Sequence, residues 1–251
     1  FHTRRSSDLL GGSSSINGLV YVRGNPLDFE RWASQGASGW AYRDVLPYFK
    51  RTERREKGGD LYRGGEGQVH TRFGPLDNPL NQVWLEAGRQ AGYPLTQDMN
   101  GFQQEGFGPM DMTIHRGRRW STASAYLQPS LARPNLEIVV EALATRVLIE
   151  KGRATGIEFR RGGRLRRALA RREVILAGGA INSPQLLLLS GIGPADEIRR
   201  HGIAITHDLP GVGRNLQDHL ELYVQYACTQ PITLYLTDRK STRLNSSHGI
   251  I

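Results

Sequence analysis

Two glycine-rich turns hold the residues best suited to chemistry. The first reads Gly11-Gly12-Ser13-Ser14-Ser15-Ile16-Asn17-Gly18 and the second Gly178-Gly179-Ala180-Ile181-Asn182-Ser183-Pro184-Gln185. The second follows an apolar run, residues 174–177, that reads as a buried strand. It leads into a helix with Ser183 as its cap and Pro184 in its first turn. Gly191 and Pro194 end that helix. A strand, a glycine turn and a helix start bring backbone N–H groups close to a phosphate or an adenine. The first turn offers closely approachable backbone and serine hydroxyls as donors. A ligand-free tight turn and a flexible linker share these compositions, so the residues alone leave those readings open.

These turns need elements to hold them. Residues 27–35, 42–54, 80–91, 121–132 and 195–201 have helical spacing, with Pro47 inside the second. Residues 57–67 and 97–113 read as glycine-rich loops. Short β runs follow at 136–140, 145–150, 155–160, 165–170 and 173–177, with turns at Lys151-Gly152 and Gly162-Gly163. Residues 221–229 alternate as a further strand. The mixture predicts an α/β core with a second α+β region.

The chain has 251 residues and a formal net charge of +9. Arginines crowd residues 160–172, where they alternate with Leu165, Ala168 and Leu169 as on a solvated hairpin. Such a balance favours solubility and steering, and the pattern predicts no nucleic-acid partner. Peripheral contact with an anionic membrane surface stays open. No apolar run is long enough to span a bilayer. Cys228 is the only cysteine, which excludes an internal disulfide and a cysteine metal cluster. His70, His115, His201 and His207 lack metal-ligand spacing, so no metal is expected. No Gly-x-Ser-x-Gly elbow is present. Residues 1–9 and 238–251 resemble translated adapter DNA and read as non-native tails.

Taken together, the two turns resemble the two signatures of the glucose–methanol–choline (GMC) oxidoreductases, flavin enzymes that oxidise alcohols. Residues 17–25, 100–111 and 118–123 also resemble the choline-oxidising branch of that family. The resemblance implies an FAD-binding, Rossmann-like fold with a second α+β substrate domain, incomplete at both ends. It divides the chain into a flavin-contacting loop with helical and irregular segments (10–135), a β-meander returning to the FAD-binding domain (136–219) and the start of a substrate-domain sheet (220–237).

It implies FAD as cofactor, contacted by Gly11, Gly12, Ser13, Asn17, Gly18, Val147, Gly178 and Gly179. Val147, Gly178 and Gly179 go to the adenine end. Glu221, with His219 beside it, is implied to face a quaternary ammonium, which offers no N–H and so needs a carboxylate and aromatic faces. The aromatic residues available are Trp120, Tyr126 and Tyr223. A solvent-facing glutamate and a structural histidine are the alternative readings.

The implied reaction is FAD-dependent oxidation of a CH–OH donor, choline to betaine aldehyde, by hydride transfer to flavin N5. The implied setting is glycine betaine biosynthesis in the cytoplasm or against the inner membrane. The family's dinucleotide fingerprint and C-terminal catalytic histidine have no counterpart here. No residue therefore receives the general-base role, and the chain as given is expected to be inactive. A dehydrogenase for another primary alcohol and a basic, non-catalytic binding module are the rival readings.

Overall fold

The computed structural model describes residues 9–218 together with 222, 226, 227, 229, 230 and 232. The predicted contacts of His219, Glu221 and Tyr223 lie outside the described residues. Two compact units divide the chain, one running to Arg133 and taking up the chain again from Gln225, the other Pro134–Val224.

The first unit opens with a 3₁₀ turn, Gly12–Ser15, and strand β1 (Val20–Tyr21). Helix α1 (Pro26–Ser34) begins where Asn25 Oδ1 accepts from Leu27 N–H at 2.9 Å, with Pro26 in the first turn. The same device starts α3 (Pro79–Gln90), where Asn78 Oδ1 accepts from Leu80 N–H at 2.8 Å. Between them lies α2 (Tyr42–Thr52). Phe29 is buried and touches Trp32, Tyr42 and Phe49, so an aromatic cluster seals α1 on α2.

Strands β2 (Glu53–Arg55), β3 (Val69–Phe73) and β4 (Asp111–Met112) join β1 in a sheet of order β1-β4-β3-β2. The β2–β3 pair is parallel and the others are antiparallel. A separate hairpin pairs β5 (Ile114–His115) with β6 (Arg118–Arg119).

The helix expected over 121–132 is instead a π-helical turn, Ala123–Leu127, followed by a 3₁₀ turn, Gln128–Ser130. Pro129 lacks the N–H that an α-helix would direct to Ala125, so the hydrogen-bond register changes there.

The second unit holds an antiparallel meander of β7 (Leu143–Glu150), β8 (Arg153–Arg161) and β9 (Arg164–Leu169). Its turns are Lys151-Gly152 and Gly162-Gly163, all four residues with positive φ. Helix α4 (Gly179–Leu189), a parallel pair of β10 (Ile192–Gly193) and β11 (His207–Asp208), and α5 (Ala195–Arg200) complete it.

Two expected β runs, 136–140 and 173–177, form no strand. No described strand lies alongside to complete a ladder, and Ile175 is 78% exposed. The start of α4 also differs from expectation. Gly178 occupies the cap position and Pro184 lies inside the helix, while Ser183 Oγ accepts from Gly178 N–H at 2.9 Å. The serine thus closes the first turn from within. The stop holds as read: Leu189 is the last helical residue and Gly191 has φ +79°. Among the described residues no helix is long and apolar enough to cross a membrane.

Candidate functional site

The first glycine turn is clamped from outside. Gly11 and Gly12 have φ of +93° and +57°, in the left-handed region that penalises any side chain. Beside Gly12 a Cβ would meet nothing within 4 Å, so the backbone there faces open space. Gly11 instead lies against Ser15 and Ala123. Ser14 Oγ donates to Gly11 O and accepts from Thr122 N–H at 2.9 Å, and Thr122 Oγ1 also donates to Gly11 O at 3.1 Å. Ser13 is exposed and, among the described residues, its hydroxyl has no partner.

The β5–β6 hairpin supplies the second half of the clamp. Arg119 Nη1 donates to Asn17 Oδ1 at 2.7 Å and to Ser14 O at 3.2 Å. Asn17 Oδ1 also accepts from Leu19 N–H at 3.1 Å. With its oxygen taken twice, the carboxamide is locked and its NH₂ is the group left to present outward. Leu19 has φ +71°, a strained value for a non-glycine residue. Its carbonyl is held by Thr113 N–H at 2.8 Å and Thr113 Oγ1 at 3.1 Å. Gly18 lies exposed between these anchors.

Beside the hairpin, the rings of His70 and His115 stack at 3.7 Å, with Trp120 against both. Burial, His115 and the guanidiniums of Arg54 and Arg116 hold His70 below the usual histidine range.

A buried charge network holds the exit from this loop. Glu53 and Arg63 are 0% exposed and Asp111 is 2% exposed. Arg23 Nη2 donates to Glu53 Oε2 at 2.6 Å, and Arg63 forks onto the same carboxylate. Arg63 also reaches Asp111 Oδ2 at 2.8 Å and Asp98 Oδ1 at 2.5 Å. Thr71 Oγ1 donates to Glu53 Oε1 at 2.7 Å. Asn100 Oδ1 accepts from Arg23 N–H at 2.7 Å, while its NH₂ donates to Tyr21 O and Asp111 Oδ2. Burial pushes the Glu53 carboxyl up, but the hydrogen bonds and charge of Arg63, with Thr71 and Arg23, bring it below the ordinary value.

In the second unit Gly179 has φ +87° at the start of α4 and opens onto space where a Cβ would stand. The first N–H groups of a helix lack intrahelical partners, and the cap residue Gly178 offers those of α4 no side chain. Val147 is at the other end of the same helix. It is buried, and its N–H donates to Ser190 Oγ at 2.8 Å. A cleft of 250 Å³ beside it is lined by Arg146, Leu148, Leu189, Ser190, Ile203 and Thr206, among others. Val147 itself lines this cleft, at the opposite end of α4 from Gly179.

The structure therefore brings Gly11, Gly12, Ser13, Asn17 and Gly18 into one loop. It adds Arg119, Thr122 and Thr113, to which no local pattern assigns a role. For Arg119 and Thr122 a signal was present in the resemblance over residues 118–123, but only the fold shows that this segment grips the loop; Thr113 lies outside it. Among the described residues no group of histidines, cysteines and carboxylates could hold a metal ion.

The chain is 59% identical over 225 residues to mitochondrial choline dehydrogenase of Mus musculus, covering 90% of this chain and 38% of that protein. It is 56% identical over 227 residues to oxygen-dependent choline dehydrogenase of Brucella ovis, covering 90% of this chain and 41% of that one. It thus spans about two-fifths of the length of these curated relatives. Pyridoxine 4-oxidase from Mesorbium loti superposes with a TM-score of 0.76 at 31% identity, over 80% of this chain and 40% of that one. A formate oxidase of Aspergillus oryzae gives 0.69 at 30% identity, over 78% and 35%. The family model described as GMC oxidoreductase matches residues 2–221. With both glycine turns inside that match, the chain belongs to the GMC oxidoreductase family.

Proposed function

We propose that this chain serves an FAD-dependent dehydrogenase that oxidises choline to betaine aldehyde. The observation that carries the reading is the clamped, outward-facing backbone of Gly11–Gly18, in a chain that shares more than half its residues with choline dehydrogenases.

The residues present fit the flavin nucleotide on two counts. Gly12 and Gly179 each show a positive φ and leave space where a side chain would stand, as close approach of a cofactor requires. The start of α4 offers unpaired N–H groups to a polar or anionic part of the ligand. When bound, FAD supplies the two-electron acceptor that the protein's side chains lack.

Gly11, Gly12, Ser13, Asn17 and Gly18 would hold the flavin side, with Asn17 NH₂ as a fixed donor. Gly178 and Gly179 would receive the adenine end. Arg119 and Thr122 keep the loop in place before the ligand arrives, which lowers the ordering cost of binding. Glu221 would face the trimethylammonium group, where a carboxylate orients the alcohol carbon by holding the opposite end of the substrate.

Anaerobic addition of choline to the flavin-loaded enzyme that contains this sequence tests the reading. Choline is expected to bleach the flavin. Glu221→Gln is expected to raise KM by at least about tenfold, as loss of a partner to a desolvated charge does. Bleaching by an uncharged primary alcohol but not by choline would point to a different substrate.

A further inference from the structure

Among the described residues of the first unit, the arginines that are buried or half-buried are Arg23, Arg55, Arg63 and Arg119. Three of them meet carboxylates: Arg23 pairs with Glu53, Arg55 with Asp60 and Asp98, and Arg63 with Glu53, Asp98 and Asp111. Arg119 is the exception, and no described carboxylate pairs with it. Its bonds run instead to two uncharged oxygens of the glycine loop, Asn17 Oδ1 at 2.7 Å and Ser14 O at 3.2 Å. Both come from Nη1, and its other N–H groups bond to none of the described residues.

Holding the loop does not require a cation. Thr122 and Thr113 grip Gly11 O and Leu19 O with neutral hydroxyls. What a guanidinium adds is a fixed positive charge, here half-buried and without a counter-charge. Because Asn17 Oδ1 accepts from that charge, the carboxamide is polarised and its NH₂ becomes a stronger donor.

We propose that Arg119 is a positioning residue whose charge, passed through the Asn17 carboxamide, favours the reduced over the oxidised flavin. The proposal rests on the reading that Gly11–Gly18 holds the flavin side of FAD. Hydride transfer from the alcohol carbon delivers two electrons and one proton to N5, so the accepting ring gains one negative charge. The alcohol loses its hydroxyl proton to a general base as its C=O forms. A cation one carboxamide away from the ring stabilises the charge that appears in this step, and so raises the flavin's reduction potential.

The test is the two-electron midpoint potential of the flavin-loaded enzyme that contains this sequence, read against a reference dye without any alcohol. Arg119→Gln is expected to shift the reduction equilibrium about tenfold toward oxidised flavin, a fall of about 30 mV. Arg119→Lys should restore most of the potential. Thr122→Val loosens the same loop without changing its charge and should leave the potential where it was. Should Arg119→Gln fail to retain FAD, Asn17→Asp serves in its place. It keeps an oxygen for both Arg119 and Leu19 N–H, cancels the cation, and should lower the potential at least as far.

An unmoved potential in Arg119→Gln or Asn17→Asp overturns the proposal, as does an equal fall in Thr122→Val. Weaker FAD binding in Arg119→Gln at constant potential overturns it too, since a charge serving the pyrophosphate acts on both redox states alike. These results leave the reading of the loop intact. FAD retention unaffected by Gly12→Val would instead remove that reading, and the proposal with it.

Discussion

The two units spend their arginines in opposite ways. In the first, Arg23 and Arg63 are buried against Glu53, Asp98 and Asp111, and the guanidiniums tie together strands far apart in sequence. In the second, most arginines of β7, β8 and β9 stand in solvent, and among the described residues Glu158 alone draws two of them, Arg146 and Arg167, into pairs. The difference lies in the acids. Where carboxylates converge from several strands, a guanidinium becomes a structural node with its donors filled. Where they are missing, the same residue type makes a surface. A region's arginine content therefore says little until the positions of its acids are known.

The largest effect that would sharpen this comparison is at the node. Glu53→Gln leaves Arg23 and Arg63 buried without their carboxylate and is expected to cost about 3–5 kcal/mol in urea unfolding. A loss close to that of a surface substitution would contradict the node. A smaller effect is expected at the loop. Gly12→Val forces a β-branched residue into φ +57° and should cost about 1–2 kcal/mol, although no atom lies in its way. Thr122→Val removes the hydroxyl bond to Gly11 O and should cost about 1 kcal/mol, read in the same way. The smallest is on the hairpin, where Arg164→Gln is expected to stay within about 0.5 kcal/mol.

Acid should separate the two regions as well. The Glu53 carboxyl is depressed in the folded chain, so its contribution is present above the ordinary glutamate pKa of about 4.3 and is lost as pH falls below it. His70 is also depressed, so its contribution begins to fade earlier, below about 6.5. Acid titration followed by tryptophan fluorescence should therefore report the first unit, since Trp32, Trp40, Trp84 and Trp120 all belong to it. A signal that does not change down to pH values well below 4 would contradict both assignments.

Much of the architecture was legible locally. Helical spacing over 27–35 and 80–91 marks α1 and α3, and the glycine turns of the meander sit where β7, β8 and β9 need them. The runs at 136–140 and 173–177 failed because a strand is a pairing, and β propensity cannot supply a neighbour. Ser183-Pro184 reads as a helix start, yet the helix begins earlier because a serine hydroxyl caps from inside the turn.

The candidate site divides in the same way. Gly11, Gly12 and Gly179 announce their backbone freedom in sequence. Arg119 meets Asn17 across 102 positions, and Glu53 draws Arg23 and Arg63 from opposite sides in the chain, which no spacing rule anticipates. Val147 lines the cleft at the far end of α4 with its N–H donating to Ser190 Oγ, a juxtaposition that no local pattern announces.

The most direct measurement is hydrogen exchange of the chain with and without excess FAD, resolved to single amides. Slowed exchange is expected at Gly11–Gly18 and at the start of α4 around Gly179, with Gly12→Val abolishing the protection at the loop. Unchanged exchange at both turns, or protection that persists in Gly12→Val, would contradict it.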